Sequence, residues 1–177
     1  VVFVAQFFRE GLALFIPELG VCVWSKMEDI TKLGECFRAA IKVSDIAEVL
    51  PLFKHFPQNC CEHTSVFLGF YISLVFPGLE TEIIRGRKES VHGLQYHFWL
   101  EINGQVFDLT IDQFNGCSVP IYGERTHPLA KEFVEDKREP IDVYMGHYYD
   151  NVLEIECFSK AMSSIGCNLK HVGWERT

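Results

Sequence analysis

The first half of the chain has apolar residues at helical spacing. They recur every three or four positions over residues 27–43, as at Ile30 and Leu33, and again over residues 60–76. This period places apolar side chains on one face of a helix. The second segment is followed by a Pro-Gly pair, which is a typical helix stop. We therefore predict helices over 27–43 and 60–76, with a shorter helix between them that has Ser44 as its N-cap.

From residue 81 onward the pattern changes to the alternation that is typical of strands. Apolar and polar residues alternate over 94–102 and 105–111, and the segment 81–87 also favours a strand. Asn103-Gly104 separates the two alternating segments and strongly predicts a two-residue hairpin, because both central residues of a type I′ turn need positive φ. Further along, we predict a strand over 119–122, a helix over 129–136, and a helix over 150–165 that ends at Gly166.

This order of elements indicates an α+β fold in which helices pack on an antiparallel β-sheet, because strands and helices are grouped rather than alternating. A length of 177 residues favours one domain, and no repeat or linker divides the chain. We predict a single domain, 1–177, composed of an N-terminal helical part (1–55), a catalytic core (56–114) and a C-terminal part (115–177).

Composition and charge exclude several classes of protein. Hydrophobic residues make up 48% of the chain, which excludes an intrinsically disordered protein. Sixteen basic and twenty-four acidic residues give a formal charge of −8, the opposite of the charge that a nucleic-acid binder needs. The longest uncharged run, residues 64–79, is shorter than the ~20 residues of a membrane span, so we expect a buried helix there. We expect no nucleic-acid or membrane partner, and the oligomeric state stays open.

The seven cysteines have irregular spacing and no Cys-x-x-Cys pair. An odd number excludes a complete intramolecular disulfide framework, and the absence of such a pair argues against zinc ribbons and thioredoxin-type centres. We therefore expect reduced thiols that pack as small apolar residues. Reduced cysteines predict a cytoplasmic protein, with a secreted effector as the alternative.

One of these cysteines, Cys61, lies where a helix is predicted to begin. Asn59 is a favourable N-cap residue, so Cys61 falls in the first turn of a long apolar helix. The positive end of the helix dipole favours thiolate over thiol at that place. A cysteine nucleophile needs this placement and a base, but buried cysteines at helix starts are common. The position alone therefore does not identify a nucleophile.

The predicted hairpin brings a histidine close to a carboxylate. In the register of a two-residue turn Trp99 pairs with Asp108. His97 and Asp108 are then diagonal neighbours on one face, ~7–8 Å apart at the backbone and within reach of each other's side chains. A carboxylate that holds an imidazole fixes its tautomer and raises its basicity. Asp112 is the other diagonal neighbour of His97 if the pairing continues, so the register leaves two carboxylates open.

Three segments of the chain resemble the transglutaminase-like branch of the papain-like cysteine protease superfamily. They are FPQNCCEHTS at 56–65, HFWLE at 97–101 and VFDLT at 106–110. In that branch a cysteine begins a helix, a histidine lies in a His-x-Trp-x-Glu strand, and an aspartate follows on the next strand. The resemblance implies a papain-like or transglutaminase-like core and a cysteine peptidase, deamidase or transglutaminase that acts on an amide bond of a protein or peptide.

Carried over residue by residue, the resemblance makes Cys61 the nucleophile, His97 the general base and acid, and Asp108 the carboxylate that orients His97. It implies no cofactor and no metal. Cys60 is adjacent and remains the alternative nucleophile. The candidates for binding the substrate or the oxyanion are Gln58, Asn59 and Trp99.

Two other functions are compatible with the same residues. Zinc accepts nitrogen and sulfur ligands, and such ligands are offered by Cys60, Cys61, His63 and His97. Two adjacent cysteines at a helix start do not easily face one ion, which argues against this site. The second alternative is a catalytically inactive binding module of the same fold.

Overall fold

The computed structural model of the protein describes residues 23–91 and 93–175. Helices and an antiparallel sheet are both present, which confirms the α+β class. The helices are α1 (Val23–Val43), α2 (Ile46–Val49), α3 (Cys61–Val75), α4 (Ile141–Asn151) and α5 (Ile155–Leu169), and short 3₁₀ turns lie at Pro51–His55 and Ile111–Gln113. The strands are β1 (Thr81–Ser90), β2 (Gly93–Ile102), β3 (Gln105–Asp108), β4 (Ile121–Glu124) and β5 (Val134–Pro140).

The five strands form one antiparallel sheet in the order β4-β3-β2-β1-β5. The β2–β3 hairpin places Leu100 opposite Phe107, as a two-residue turn requires. The turn residues Asn103 and Gly104 have φ values of 48° and 72°, and positive φ at both positions is characteristic of a type I′ turn. The predicted hairpin and its register near the turn are therefore confirmed, but the strand predicted over 105–111 ends at Asp108 and is followed by a 3₁₀ turn.

Both faces of the middle of the sheet are covered, but by different parts of the chain, whereas β5 and the first half of β2 are largely exposed. On one face, residues such as Ile83, Leu100 and Phe107 belong to the main hydrophobic core, which the helices complete. The opposite face lies under the segment 111–133. The buried apolar residues there are Ile84, Trp99, Val106, Ile111, Ile121, Leu129 and Phe133. We call the first face the helix side and the second face the loop side.

Helix α3 lies within the helix side, and nine of its fifteen residues are buried. The prediction of a buried helix over this uncharged run is therefore confirmed. In the part of the chain that the structure describes, no helix has the length and apolar character needed to cross a membrane.

A glycine lets the loop side close over β1. Gly86 is paired with His97 on the neighbouring strand. A Cβ atom at Gly86 would lie 2.8 Å from the Cβ of Phe133 and 2.8 Å from the ring of Trp99. Any other residue would therefore force apart the side chains that cover His97.

Two of the predicted elements are wrong. The segment 129–136 is a turn followed by β5, because Leu129 and Phe133 pack into the loop-side cluster and the residues after them pair with β1. The helix predicted over 150–165 is two helices, α4 and α5, separated by a short break, and Gly166 lies inside α5.

Both predicted N-caps are also wrong. The Ser44 hydroxyl donates to the Ile41 carbonyl at 3.0 Å, and Asp45 is the N-cap residue of α2. The N-cap residue of α3 is Cys60. Asn59 has a φ of 57°, a left-handed conformation that Asn tolerates in turns, so it lies in the loop before the helix.

Candidate active site

His97 and Asp108 meet on the loop side, as the hairpin register predicts. The Nε2 atom of His97 lies 2.6 Å from Oδ2 of Asp108, and their exposed fractions are 0% and 1%. The rings of Phe114 and Phe133 pack against the imidazole with centroids 4.8 and 5.6 Å away. Because the pair is shielded from water, its electrostatic interaction is stronger than that of an exposed pair.

Asp108 is a buried carboxylate with a complete set of hydrogen-bond donors. Its Oδ1 accepts from the backbone N–H and the hydroxyl of Thr110 at 2.9 and 3.0 Å. Its Oδ2 accepts from His97 and from a second histidine, His127, at 3.0 Å. Burial raises the pKa of Asp108, but the charge of His97 and the hydrogen bonds from both histidines outweigh it and hold that pKa well below its ordinary value. Asp108 is therefore ionised.

His127 has a defined tautomer. Its Nδ1 atom accepts the backbone N–H of Leu129 at 3.2 Å, so Nδ1 has no proton and Nε2 has one. Nε2 is the nitrogen that faces Asp108. The Trp99 ring stacks on the His127 ring with centroids 4.2 Å apart and an interplanar angle of 25°. His127 is thus held as a neutral hydrogen-bond donor to Asp108.

Sequence reasoning missed His127. It precedes a proline in a polar segment that has no periodic pattern, and nothing in such a segment indicates which strand it covers. The available signal was Asp108 itself, since aspartate is depleted in strands and suggests a partner. The hairpin explains one partner, His97, but not a second.

Cys61 is the first residue of α3 and is half-buried. Burial lowers the pKa of His97. The Asp108 carboxylate raises it, and so, to a smaller extent, does the interaction with Cys61, so that the resulting pKa is about 9. Because Nε2 of His97 faces Asp108, Nδ1 is the ring nitrogen left for Cys61, and none of the hydrogen bonds between the described residues uses it. Asp108 therefore occupies Nε2 of the imidazole, and Cys61 lies close enough to raise the pKa of the same ring.

Cys60 has a different environment from Cys61. Its side chain is fully buried, and its thiol donates to the carbonyls of Leu52 and Gln58 at 3.7 and 3.2 Å. Burial, followed by the neighbouring charge of Cys61, raises the pKa of the Cys60 thiol to about 12. A thiol that stays protonated is a poor nucleophile, so these contacts favour Cys61.

The loop after Asp108 is fixed by a buried arginine. Arg38 on α1 binds both carboxylate oxygens of Asp112 at 3.1 and 2.6 Å, and it also donates to the Leu109 carbonyl. Asp112 therefore pairs with Arg38 rather than with His97. Of the two carboxylates that the hairpin register left open, Asp108 is the one that binds the histidine.

The three residues considered for substrate or oxyanion binding lie in two places. Asn59 and Gln58 are exposed in the loop before α3 and both contact Gln113, through the Asn59 N–H at 3.1 Å and the Gln58 amide at 3.4 Å. Trp99 is 3% exposed and its ring lies against His127. The structure thus places Gln58 and Asn59 at the surface and Trp99 among the residues that support the imidazoles.

His97, Asp108 and His127 also form a group whose potential metal-ligating atoms lie within 4.8 Å of one another. The tautomer of His127 favours hydrogen bonding over metal binding. A metal at Nε2 would leave the ring proton on Nδ1, but Nδ1 already accepts the Leu129 N–H. The observed arrangement is therefore that of a hydrogen-bonded carboxylate.

Two of the four zinc ligands considered from the sequence, Cys60 and His63, are bound to other groups. His63 forms a hydrogen bond with Tyr148, and burial lowers the pKa of His63 to about 4. Cys60 is bound to backbone carbonyls. Within residues 23–91 and 93–175, no group of potential metal ligands contains either of them.

No protein-family model, no curated protein and no solved structure matches this chain.

Proposed function

We propose that the protein is a thiol-dependent acyl-transfer enzyme in which Cys61 is the nucleophile, His97 the general base and acid, and Asp108 the orienting carboxylate. The papain-like or transglutaminase-like core implied by the three sequence segments is part of this proposal. The observation that supports it most is the buried hydrogen-bonded pair of His97 and an ionised Asp108, with Cys61 close enough to raise the pKa of His97.

The free-energy cost of burying the His97–Asp108 pair supports a role for the pair beyond folding. Burying charged groups is unfavourable unless they are paired and hydrogen-bonded, and apolar residues of similar volume are often as stable or more stable in the same place. Here the charged pair lies beside a cysteine at a helix start. A nucleophile, a base and a group that orients the base are the three parts that covalent catalysis requires.

In the proposed reaction the Cys61 thiolate attacks the carbonyl carbon of an amide and forms a C–S bond while the carbonyl electrons move to oxygen. Collapse of this intermediate breaks the C–N bond, and His97 gives its Nδ1 proton to the departing amine. Water then attacks the thioester carbon and His97 accepts a proton of the water; the C–S bond breaks, the carboxylic acid leaves, and the Cys61 thiolate is restored beside the protonated His97. Backbone N–H groups at the start of α3 are available to stabilise the oxyanion.

Peptide hydrolysis, deamidation and transamidation share this acyl-enzyme. They differ in the amine that leaves and in whether water or an amine resolves the thioester. The proposed substrate is a protein or peptide, and the proposed location is a reducing compartment such as the cytoplasm. The six cysteines in the described part of the chain are free thiols, which is compatible with such a compartment.

The experiment that tests this function is acylation by p-nitrophenyl acetate at mildly acidic pH, followed by intact-protein and peptide mass spectrometry. We expect an acetyl group on Cys61 that is later lost to water, with continued release of p-nitrophenol. His97→Ala should slow both phases by roughly a hundredfold or more, the contribution typical of general acid–base catalysis.

Matched controls are available in the same loop. Cys60→Ala should retain acylation and turnover, whereas Cys61→Ala should lose both and keep its fold. Acylation of Cys60 in place of Cys61 would reassign the nucleophile. If neither cysteine were acylated faster than the exposed Cys167, the domain would be a binding module rather than an enzyme.

A further inference from the structure

Asp108 has two histidine partners, but the proposed reaction uses only one of them. The Nε2 atoms of His97 and His127 both reach Oδ2 of the same carboxylate, at 2.6 and 3.0 Å. The two rings are 5.7 Å apart between centroids. The hydrogen bond from His97 alone would satisfy this oxygen. The second histidine therefore needs a separate explanation.

The charge of His127 is the first clue. The Leu129 N–H occupies its Nδ1, and the proton is on Nε2. His127 therefore gives Asp108 a hydrogen bond without adding a second positive charge beside His97. A like charge at that distance would oppose protonation of His97, whereas a neutral donor stabilises the carboxylate and leaves His97 as its cationic partner.

The second clue is how rigidly His127 is held. Its exposed fraction is 6%, the Trp99 ring stacks on one of its faces, and hydrogen bonds occupy both of its nitrogens. Rotation of the ring would break both bonds at once. A donor fixed in this way determines where Oδ2 lies, and Thr110 determines the position of Oδ1.

We propose that His127 is a positioning residue of this site. As a fixed, neutral donor to Oδ2, it holds the Asp108 carboxylate in the orientation that aims Nδ1 of His97 at Cys61. The catalytic meaning of this inference rests on the proposed function, but the effect of His127 on the orientation and charge of His97 can be measured without any substrate.

The test compares two variants that differ in one property. His127→Gln keeps an amide N–H near the position of Nε2, and His127→Leu has a similar size but no donor. Both replace the imidazole ring that stacks on Trp99 and its nitrogen that accepts from Leu129, so damage from those losses is common to the two. Nitrogen-15 NMR of labelled histidines reports the tautomer and titration of His97, and iodoacetamide labelling at mildly acidic pH reports the reactivity of Cys61.

In His127→Leu we expect the His97 Nε2 proton signal to move upfield and exchange faster with solvent, and Cys61 labelling to slow by about tenfold, the effect of one hydrogen bond to a charged group. His127→Gln should restore most of both signals. If Leu and Gln variants behaved alike, whether both intact or both impaired, His127 would not act through its donor and the inference would be overturned.

The two proposals fail in different ways. If Cys61 of the unmodified protein reacted no faster than Cys167, the proposed enzyme would be refuted, yet the NMR comparison would still decide the role of His127. If Cys61 reacted rapidly but the His97 signals were the same in the unmodified protein and in His127→Leu, only the inference about His127 would fail.

Discussion

The two sides of the sheet are both covered by other parts of the chain, but the buried residues on them differ in chemistry. The helix side is an aromatic and aliphatic core in which Phe158, fully buried, contacts Phe67 and Phe70 with centroids 5.4 and 5.1 Å away. The loop side has a smaller apolar cluster around His97 and Asp108. Apolar burial accounts for most of the helix side, whereas the loop side includes a charged pair that burial alone disfavours.

This difference separates residues that fold the protein from residues that we propose act on a substrate. A helix-side change should alter the free energy of unfolding and leave Cys61 reactivity intact in the folded molecules. A loop-side change should alter the reactivity of Cys61 even in the molecules that remain folded.

The largest effect on stability is expected on the helix side. Phe158→Ala removes a fully buried ring and should lower the free energy of unfolding by about 4 kcal/mol, measured by urea denaturation. The rate of Cys61 labelling should stay within about twofold of the unmodified protein under conditions where the variant is folded. A tenfold loss of labelling would show that the two sides are not separable.

Asp108→Asn is the matching change on the loop side. It removes the charge but keeps the size of the side chain, and it should cost about 3 kcal/mol of stability because His97 loses its buried partner. Cys61 labelling at mildly acidic pH should fall by at least a hundredfold, because an amide does not hold the imidazolium as a carboxylate does. Asp112→Asn is the control: it weakens the Arg38 ion pair and should leave the labelling rate within a few-fold.

The pH dependence of the free energy of unfolding should report on the same His97–Asp108 pair. The folded pKa of His97, raised to about 9, lies above its unfolded value near 6.5. Its contribution is therefore complete below about pH 6.5 and is lost as the pH rises through about 9. Between pH 6 and pH 9 the free energy of unfolding should fall in the unmodified protein. The fall should be larger than in Asp108→Asn by on the order of 2 kcal/mol. Equal slopes in the two proteins would contradict this assignment.

The smallest effect is expected for charges at the exposed part of the sheet. Arg138 contacts Glu82, Glu101 and Glu135 at 2.6 to 2.8 Å, and about a third of its side chain is exposed. Exposed ion pairs contribute little, so Arg138→Gln should change stability by less than about 1 kcal/mol and leave Cys61 labelling unaltered. A larger loss of labelling would make Glu101, two residues from Trp99, part of the site.

The elements that could be predicted from the sequence are those with local signals. The type I′ turn at Asn103-Gly104 fixes the register of β2 and β3, and the register places His97 beside Asp108. Helix α3 follows from the apolar spacing and from the stop after it. Both inferences use residues that are close in sequence, where periodicity and turn chemistry decide the conformation.

The remaining features depend on contacts between distant segments. Arg38 binds Asp112 from 74 residues away, and His127 reaches Asp108 from a loop without periodic pattern. Leu129 and Phe133 have helical spacing, yet they lie in the loop that covers the sheet and pack into its buried apolar cluster. Local preference cannot identify such contacts, because tertiary packing determines them.

The central claim is that His97 links Asp108 to Cys61, and the most direct measurement is the titration of His97 by nitrogen-15 NMR with and without the Cys61 sulfur. In the unmodified protein His97 should titrate near pH 9, and in Cys61→Ala its midpoint should fall by roughly one pH unit because the interaction with the Cys61 sulfur is lost. Cys60→Ala should leave the midpoint unchanged. If Cys61→Ala and the unmodified protein gave the same midpoint, His97 and Cys61 would not be coupled and the proposed catalytic site would be refuted.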